Sequence, residues 1–289
     1  MGMSKQNRRG IILFLIPAVV ILLLFFIIPV FYVLFLSLQK WDGMSSVKFV
    51  GMNNFIHILS DSVFRRSIVN NVIWALAAGL IQVPLAAITA LILSQKIRGW
   101  QLLRTVYFFP QVISSVALAT MWLAVYNASY GLLNALLKLF GLGAFERNWL
   151  GNLDTAFPCM LLYWLPYIGY YMVIILADLQ SIPLDYYEAA SLDGATKLKQ
   201  VWYISLPMIK GSIVTCMTLA MIFGIRQFDQ VYMMTNGGPA NRTSVMVLYL
   251  YKEMQNFSYG TSSAAAMVLI VIGTMVILTL QKTIGRETD

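Results

Sequence analysis

Apolar residues in this chain gather into six runs, near 11–34, 68–93, 105–126, 155–179, 211–233 and 263–280, separated by stretches that carry most of the charge. An α-helix needs about 20 mainly apolar residues to cross the hydrocarbon core of a bilayer. Each run meets or approaches that length, and in lipid a helix satisfies its own backbone polar groups. The pattern predicts an all-α integral membrane protein with six transmembrane helices. In this reading residues 11–280 form the transmembrane domain, and 1–10 and 281–289 are short cytoplasmic ends. The first run follows Lys5, Arg8 and Arg9 and so looks like a signal peptide. Its apolar core is too long for one, and no small-residue cleavage site precedes Pro29, which predicts a retained anchor.

One connection differs from the rest. Residues 180–210 read as a helical hairpin: Ser181 can cap a helix begun at Pro183, Asp185 suits its positive first turn, and Gly194 can end it left-handed. Thr196 can cap a second helix that stops before Pro207. Leu184, Tyr187, Leu192, Val201, Trp202 and Ile204 make this loop unusually apolar for an exposed one. Such a patch is covered by lipid or another protein, or else it belongs to a re-entrant connection that caps the bundle. Within the external stretch 127–154, the leucine spacing of 130–141, closed by Gly141, predicts a short interfacial helix.

Composition supports the membrane reading. The 289 residues are 59% hydrophobic and 11% charged, too few polar groups to coat a water-exposed surface of this length. The net charge of +8 is scattered between apolar runs without a basic stripe, which argues against nucleic acid and for membrane lipid and orientation control. With the N-terminus inside, 11 of the 20 Lys and Arg residues are cytoplasmic, 8 are external, and Arg226 lies in a span. Basic density is then roughly twofold higher inside, so both termini are expected in the cytoplasm. Cys159 and Cys216 sit in apolar runs without ligand spacing and read as core packing.

Catalytic chemistry is hard to find. There is no GxxxxGK[ST] phosphate loop, HExxH or GxSxG, and the one histidine, His57, has no nucleophile beside it. No cofactor is expected on this chain. The polar residues at membrane depth are more informative. Arg226 and Asp229, three apart, would share a helix face and could pair. Gln227, Asn70, Asn71, Gln82 and Gln111 offer hydrogen bonds suited to hydroxyl-rich solutes, or join helices. Tyr163, Trp164, Tyr167, Tyr170 and Tyr171 surround Pro166 and Gly169, which can loosen a helix beside a pathway. Candidate pathway residues are therefore Arg226, Gln227, Asp229, Tyr163, Tyr167, Tyr170 and Asn71. A stand-alone secondary transporter or channel would call for paired membrane carboxylates or inverted repeats, and neither is evident.

The spacing Glu188-Ala189-Ala190, three residues, Gly194, nine residues, Ile204, one residue, Leu206-Pro207 resembles the signature loop of binding-protein-dependent ABC importer permeases. The resemblance implies the type I permease fold, with 180–210 as a coupling hairpin seated on a separate ATPase. Glu188, Ala189, Ala190, Asp193, Gly194, Leu206 and Pro207 would then be mechanical. Arg104–Pro110, Tyr130–Asn134, Leu179–Pro183, Phe228-Asp229 and Thr235–Pro239 are similar to the carbohydrate branch, the maltose-type and glycerol-3-phosphate-type permeases. By that resemblance the partners are a second homologous permease, two ATP-binding subunits that carry ATP and Mg, and an extracytoplasmic solute-binding protein. The location would be the bacterial cytoplasmic membrane. The large periplasmic insertion and extra N-terminal helices of the longer maltose permease are missing. Oligosaccharide, disaccharide and sugar phosphate all stay open as solutes.

Overall fold

The computed structural model describes residues 5–284; the outermost parts of the expected cytoplasmic ends, 1–4 and 285–289, lie outside the described residues. Among the described residues, four apolar helices are long enough to cross a membrane: Leu13–Ser37, Ser62–Ser94, Lys210–Met234 and Tyr259–Thr279. The other two runs do not form unbroken spans. Trp100–Val112 and Ser115–Val125 are bent by 101° about the residues between them. The fourth run divides into Ala156–Leu162, a 3-10 turn at Leu165–Tyr167, and Ile168–Leu179.

Both interruptions have local causes. Pro110 and Pro166 each stand early in a 3-10 turn, where the missing N–H costs least. After Pro110 the chain extends at Ile113, and Ser114 caps the next helix by accepting a hydrogen bond from the Ala117 N–H at 3.2 Å.

Three other prolines are absorbed without a break. A π-turn occupies Leu23–Ile27, Ala78–Gln82 and Val201–Ser205, and each ends two residues before a proline, Pro29, Pro84 and Pro207. In all three the residue just before the proline donates its N–H five residues back: Ile28 to Leu23, Val83 to Ala78 and Leu206 to Val201. Proline cannot donate to the carbonyl four residues back, and its ring crowds that carbonyl. The wider turn puts the crowded carbonyl where α-helical bonding is already suspended.

The residues fall into two compact units. One comprises 5–61 with 250–268. Its Leu13–Ser37 helix buries only 6% of its most apolar window within the chain, so nearly its whole circumference is left for lipid or another subunit. A short antiparallel pair, Gln39–Lys40 with Lys48–Phe49, follows. Between these strands Asp42 Oδ1 accepts from the Met44 and Ser45 N–H groups and the Ser45 hydroxyl, which holds this carboxyl down at about 2. Asn54 Nδ2 donates to the carbonyls of Ser37 and Gln39 at 2.8 and 2.7 Å. Gly260 touches the Gln39 carbonyl, where a Cβ would not fit.

The other unit comprises 62–249 with 269–284. Its core forms where Val83–Ser94 packs on Ile168–Leu179 and Ser62–Ala77 packs on Lys210–Ile225. Trp74, Met160, Tyr163, Met172, Ile175, Leu176 and Ile209 are fully buried there. Small residues set the helix distances, as expected where lipid gives helices little hydrophobic reason to associate. A Cβ on Gly224 would meet the Ala75 and Trp74 backbone, and one on Gly169 would overlap the Tyr107 carbonyl oxygen.

Candidate functional site

The unit 62–249 with 269–284 contains a half-open cavity of about 610 Å³, in the size range of small-ligand sites. Of the residues expected on a pathway, Arg226, Gln227, Asp229, Tyr167 and Tyr170 line it, joined by Gln82, Gln111, Ser115, Trp164, Tyr171 and Gln230. The broken helices bring them together. The bend near 113–114 turns Gln111 and Ser115 to one wall, where Gln111 Nε2 donates to the Tyr167 carbonyl at 3.2 Å. Trp164 and Tyr167 come from the interruption around Pro166.

Two expected residues stand elsewhere. Asn71 is fully buried and does not line the cavity. Its Nδ2 donates to the Gly224 and Ile225 carbonyls at 3.3 and 2.9 Å, and its Oδ1 accepts the Met246 N–H at 2.8 Å, so it ties helix ends together. Asn71→Leu should cost about 3 kcal/mol, since it orphans an N–H and two carbonyls together. A lower thermal midpoint in detergent would report this, and an unchanged one would refute it. Tyr163 is also fully buried behind the lining, and its hydroxyl lies 3.1 Å from that of Tyr167.

The expected Arg226–Asp229 pairing on one helix face is corrected. The helix Lys210–Ile225 stops at Ile225, Phe228 adopts φ −145° and ψ −63°, and Asp229 starts the helix Asp229–Met234. The two charges form no ion pair with each other; Asp229 Oδ2 instead accepts from the Ser115 hydroxyl at 2.9 Å. Each charge sits at a helix end that suits its sign. Arg226 ends a helix at the negative pole, while Asp229 lies at the positive first turn of both its own helix and Ser115–Val125. Ser115 and Gln230 are the polar lining residues the sequence reading overlooked, along with the apolar Leu219, Ile222 and Phe223. The Ser114-Ser115 pair, a capping signal inside an apolar run, was the available hint for the first.

Two lining amides have unsatisfied atoms. Gln82 and Gln227 are 2% and 3% exposed, yet Gln82 Oε1 and Gln227 Nε2 have no hydrogen-bond partner. One is an acceptor and the other a donor, and buried groups of this kind normally find partners. A hydroxyl-bearing ligand or water in the cavity offers both functions.

The hairpin of 180–210 forms with two corrections. Its first helix is Leu184–Leu192, Gly194 adopts φ +76°, and Thr196 accepts the Lys199 N–H at 3.4 Å, all as expected. Ser181, however, donates to the Asp178 carbonyl and leaves the N-cap to Pro183. The second helix runs through Pro207 to Met208, because the π-turn accommodates the proline. The two arms are tied by the Tyr187 and Ser205 hydroxyls, 3.0 Å apart, and by Gln200 Nε2 donating to the Tyr187 carbonyl and the Ser191 hydroxyl. Tyr187, Ile204 and Leu206 pack on the core. Leu184, Leu192, Trp202 and Tyr203 point away from it, Leu192 and Tyr203 being 90% and 81% exposed. Glu188, Ala189, Asp193, Gly194 and Pro207 are exposed with them. One face of the hairpin thus caps the bundle, and the other is an apolar surface with acidic groups among it.

Several membrane-length helices, a polar cavity among broken ones and an outward apolar hairpin define a multi-pass membrane transport subunit. Residues 82–287 match the family described as the binding-protein-dependent transport system inner membrane component. The probable ABC transporter permease protein YurN of Bacillus subtilis is 36% identical over 276 residues, covering 93% of this chain and 94% of that one. The trehalose/maltose transport system permease protein MalF of Thermococcus litoralis is 31% identical over 271 residues, 93% of this chain and 90% of that one. A chain of the bacterial alginate ABC transporter, solved in complex with its alginate pentasaccharide-bound periplasmic protein, superposes with a TM-score of 0.85 at 21% identity, covering 99% of this chain and 98% of that one. The chain belongs to the binding-protein-dependent inner membrane permeases of ABC importers. Membership sets aside the stand-alone transporter and enzyme readings, since these are transport subunits of larger machines.

Proposed function

We propose that this permease moves a hydroxyl-rich sugar or oligosaccharide across the cytoplasmic membrane as one half of a two-permease pathway. The observation that carries this reading is the cavity itself. It combines the aromatic faces of Trp164, Tyr167, Tyr170 and Tyr171 with the amides of Gln82, Gln111 and Gln227 and with Arg226 and Asp229. Flat rings suit the apolar faces of pyranoses, and side-chain amides suit their hydroxyls. The relatives named as trehalose/maltose and multiple-sugar permeases support the same solute class. Two ATP-binding subunits carry ATP and Mg, and one of them receives the outer face of the hairpin, with Glu188, Ala189, Ala190, Asp193 and Gly194 in the contact. Leu206 holds the second arm against the bundle, and Pro207, which is exposed, belongs to the outer face. An extracytoplasmic solute-binding protein delivers the solute, and both termini lie in the cytoplasm.

Purification of this subunit from its native membrane in mild detergent, with mass spectrometry of what accompanies it, tests the assembly. A phosphate-loop ATPase and a second permease are expected; recovery of the protein alone or as a homo-oligomer would overturn the coupled reading. Uptake by proteoliposomes of the recovered complex, measured with labelled sugars and with amino acids as controls, tests the solute class.

A further inference from the structure

We infer that Asp229 is a specificity-determining residue that excludes anionic solutes and tunes the cavity to neutral sugars. This rests on the sugar reading of the same cavity. Two features there would attract an anion. Arg226 lines the cavity without a carboxylate partner there, and the first turn of Ser115–Val125, an 11-residue helix, reaches the lining at Ser115. Backbone N–H groups at such a helix start form a ready anion site. Asp229 already occupies that position: its Oδ2 accepts the Ser115 hydroxyl at 2.9 Å, putting a negative charge at the helix start in a lining that also holds Arg226.

Besides Arg226 and Asp229, the polar groups left for a ligand are uncharged. Gln82 Oε1 seeks a donor and Gln227 Nε2 an acceptor, and both are buried. A sugar hydroxyl supplies either function, and the hydroxyls of a sugar acid or sugar phosphate supply them as well, so the amides select for hydroxyls and leave the choice of charge to Asp229. Asp229 repels the carboxylate or phosphate of such a solute directly. The selection against anions thus rests on the Asp229 carboxylate in the lining.

The test uses the assembled transporter carrying Leu219→Cys as a reporter on an apolar part of the lining; the native Cys159 and Cys216 are buried. Labelling by a small maleimide is followed with maltose or lactose, and with the aldonic acids maltobionate or lactobionate, as protecting probes. With Asp229 present, the neutral sugars should slow labelling and the acids should not. Asp229→Asn should shift the ratio of protecting concentrations about tenfold toward the acids, the scale of one like charge removed at short range. Asp229→Glu should retain the original preference, and Arg226→Gln should disfavour the acids further, which keeps the idea testable if Asp229→Asn fails to assemble. Equal protection by acids and neutral sugars with Asp229 present would overturn the inference, as would a ratio unmoved by Asp229→Asn. Protection by none of the probes would count against the sugar reading itself, and this inference would fall with it.

Discussion

Reversing Glu188 to lysine should abolish coupled uptake while leaving the permease folded and inserted. Glu188 is exposed on the outer face of the hairpin beside Ala189, about one helical turn from each of the exposed Leu184 and Leu192. Its side chain makes no contact that the fold depends on, so the cost of Glu188→Lys falls on whatever seats against that face. A like-charge juxtaposition at a protein contact costs several kcal/mol. About 3 kcal/mol corresponds to an uptake loss on the order of a hundredfold. The readouts are sugar uptake in membrane vesicles, the amount of inserted permease, and the amount of ATPase retained on it. Normal uptake by a fully inserted Glu188→Lys protein would remove the hairpin from the coupling path.

The second large effect is expected at Gly169, on stability. At this point Ile168–Leu179 crosses the end of Trp100–Phe108 so closely that a Cβ on Gly169 would overlap the Tyr107 carbonyl oxygen and crowd the Phe108 Cα. Backbone atoms cannot swing aside as a flexible side chain can. Gly169→Ala should therefore force the two broken spans apart at a cost of about 3 kcal/mol, the upper part of the usual range for overpacking. The separation would also move Gln111, which donates to Tyr167 across the same contact, away from the cavity wall. A thermal midpoint lowered by several degrees with reduced sugar uptake is the expected pair of results. Gly211→Ala is the matched control, because nothing lies within contact distance of a Cβ at Gly211. Equal midpoints for the two variants would refute the close crossing.

Much of this was readable beforehand. Asp185, Gly194 and Thr196 do in the hairpin what their residue types suggested, because caps and left-handed turns depend on a few adjacent atoms. The breaks in the third and fourth runs were less visible. Hydropathy sums side chains without regard to direction, so Val112 and Ile113 carry the apolar run straight across a 101° bend. Pro110 and the Ser114-Ser115 pair were the local signs, but neither reveals the angle. Sorting amides into cavity and structure was beyond the sequence as well. Asn71 and Gln82 are the same kind of group in the same apolar helix, and only the neighbouring elements decide that one meets the Ile225 carbonyl and the other the cavity. Arg226 and Asp229 misled for a related reason: three residues apart implies a shared face only while the helix continues, and it ends at Ile225.

The π-turn at Ala78–Gln82 has a bearing on how this family's helices can be compared residue by residue. It holds one residue more than an α-helix of the same rise, so everything from Val83 onward is rotated by about 100° from where an uninterrupted count would put it. Ala86, Ala87 and Ala90, buried in the core where Val83–Ser94 meets Ile168–Leu179, owe their inward aim to that surplus residue. A heptad or 3.6-residue stripe traced from Ser62 therefore loses phase in mid-membrane, even though the helix itself does not stop. The extra residue works as a vernier: it sets the angular offset between the half of the helix that holds Asn71 and the half that faces the broken spans, at a place where the bilayer permits no loop.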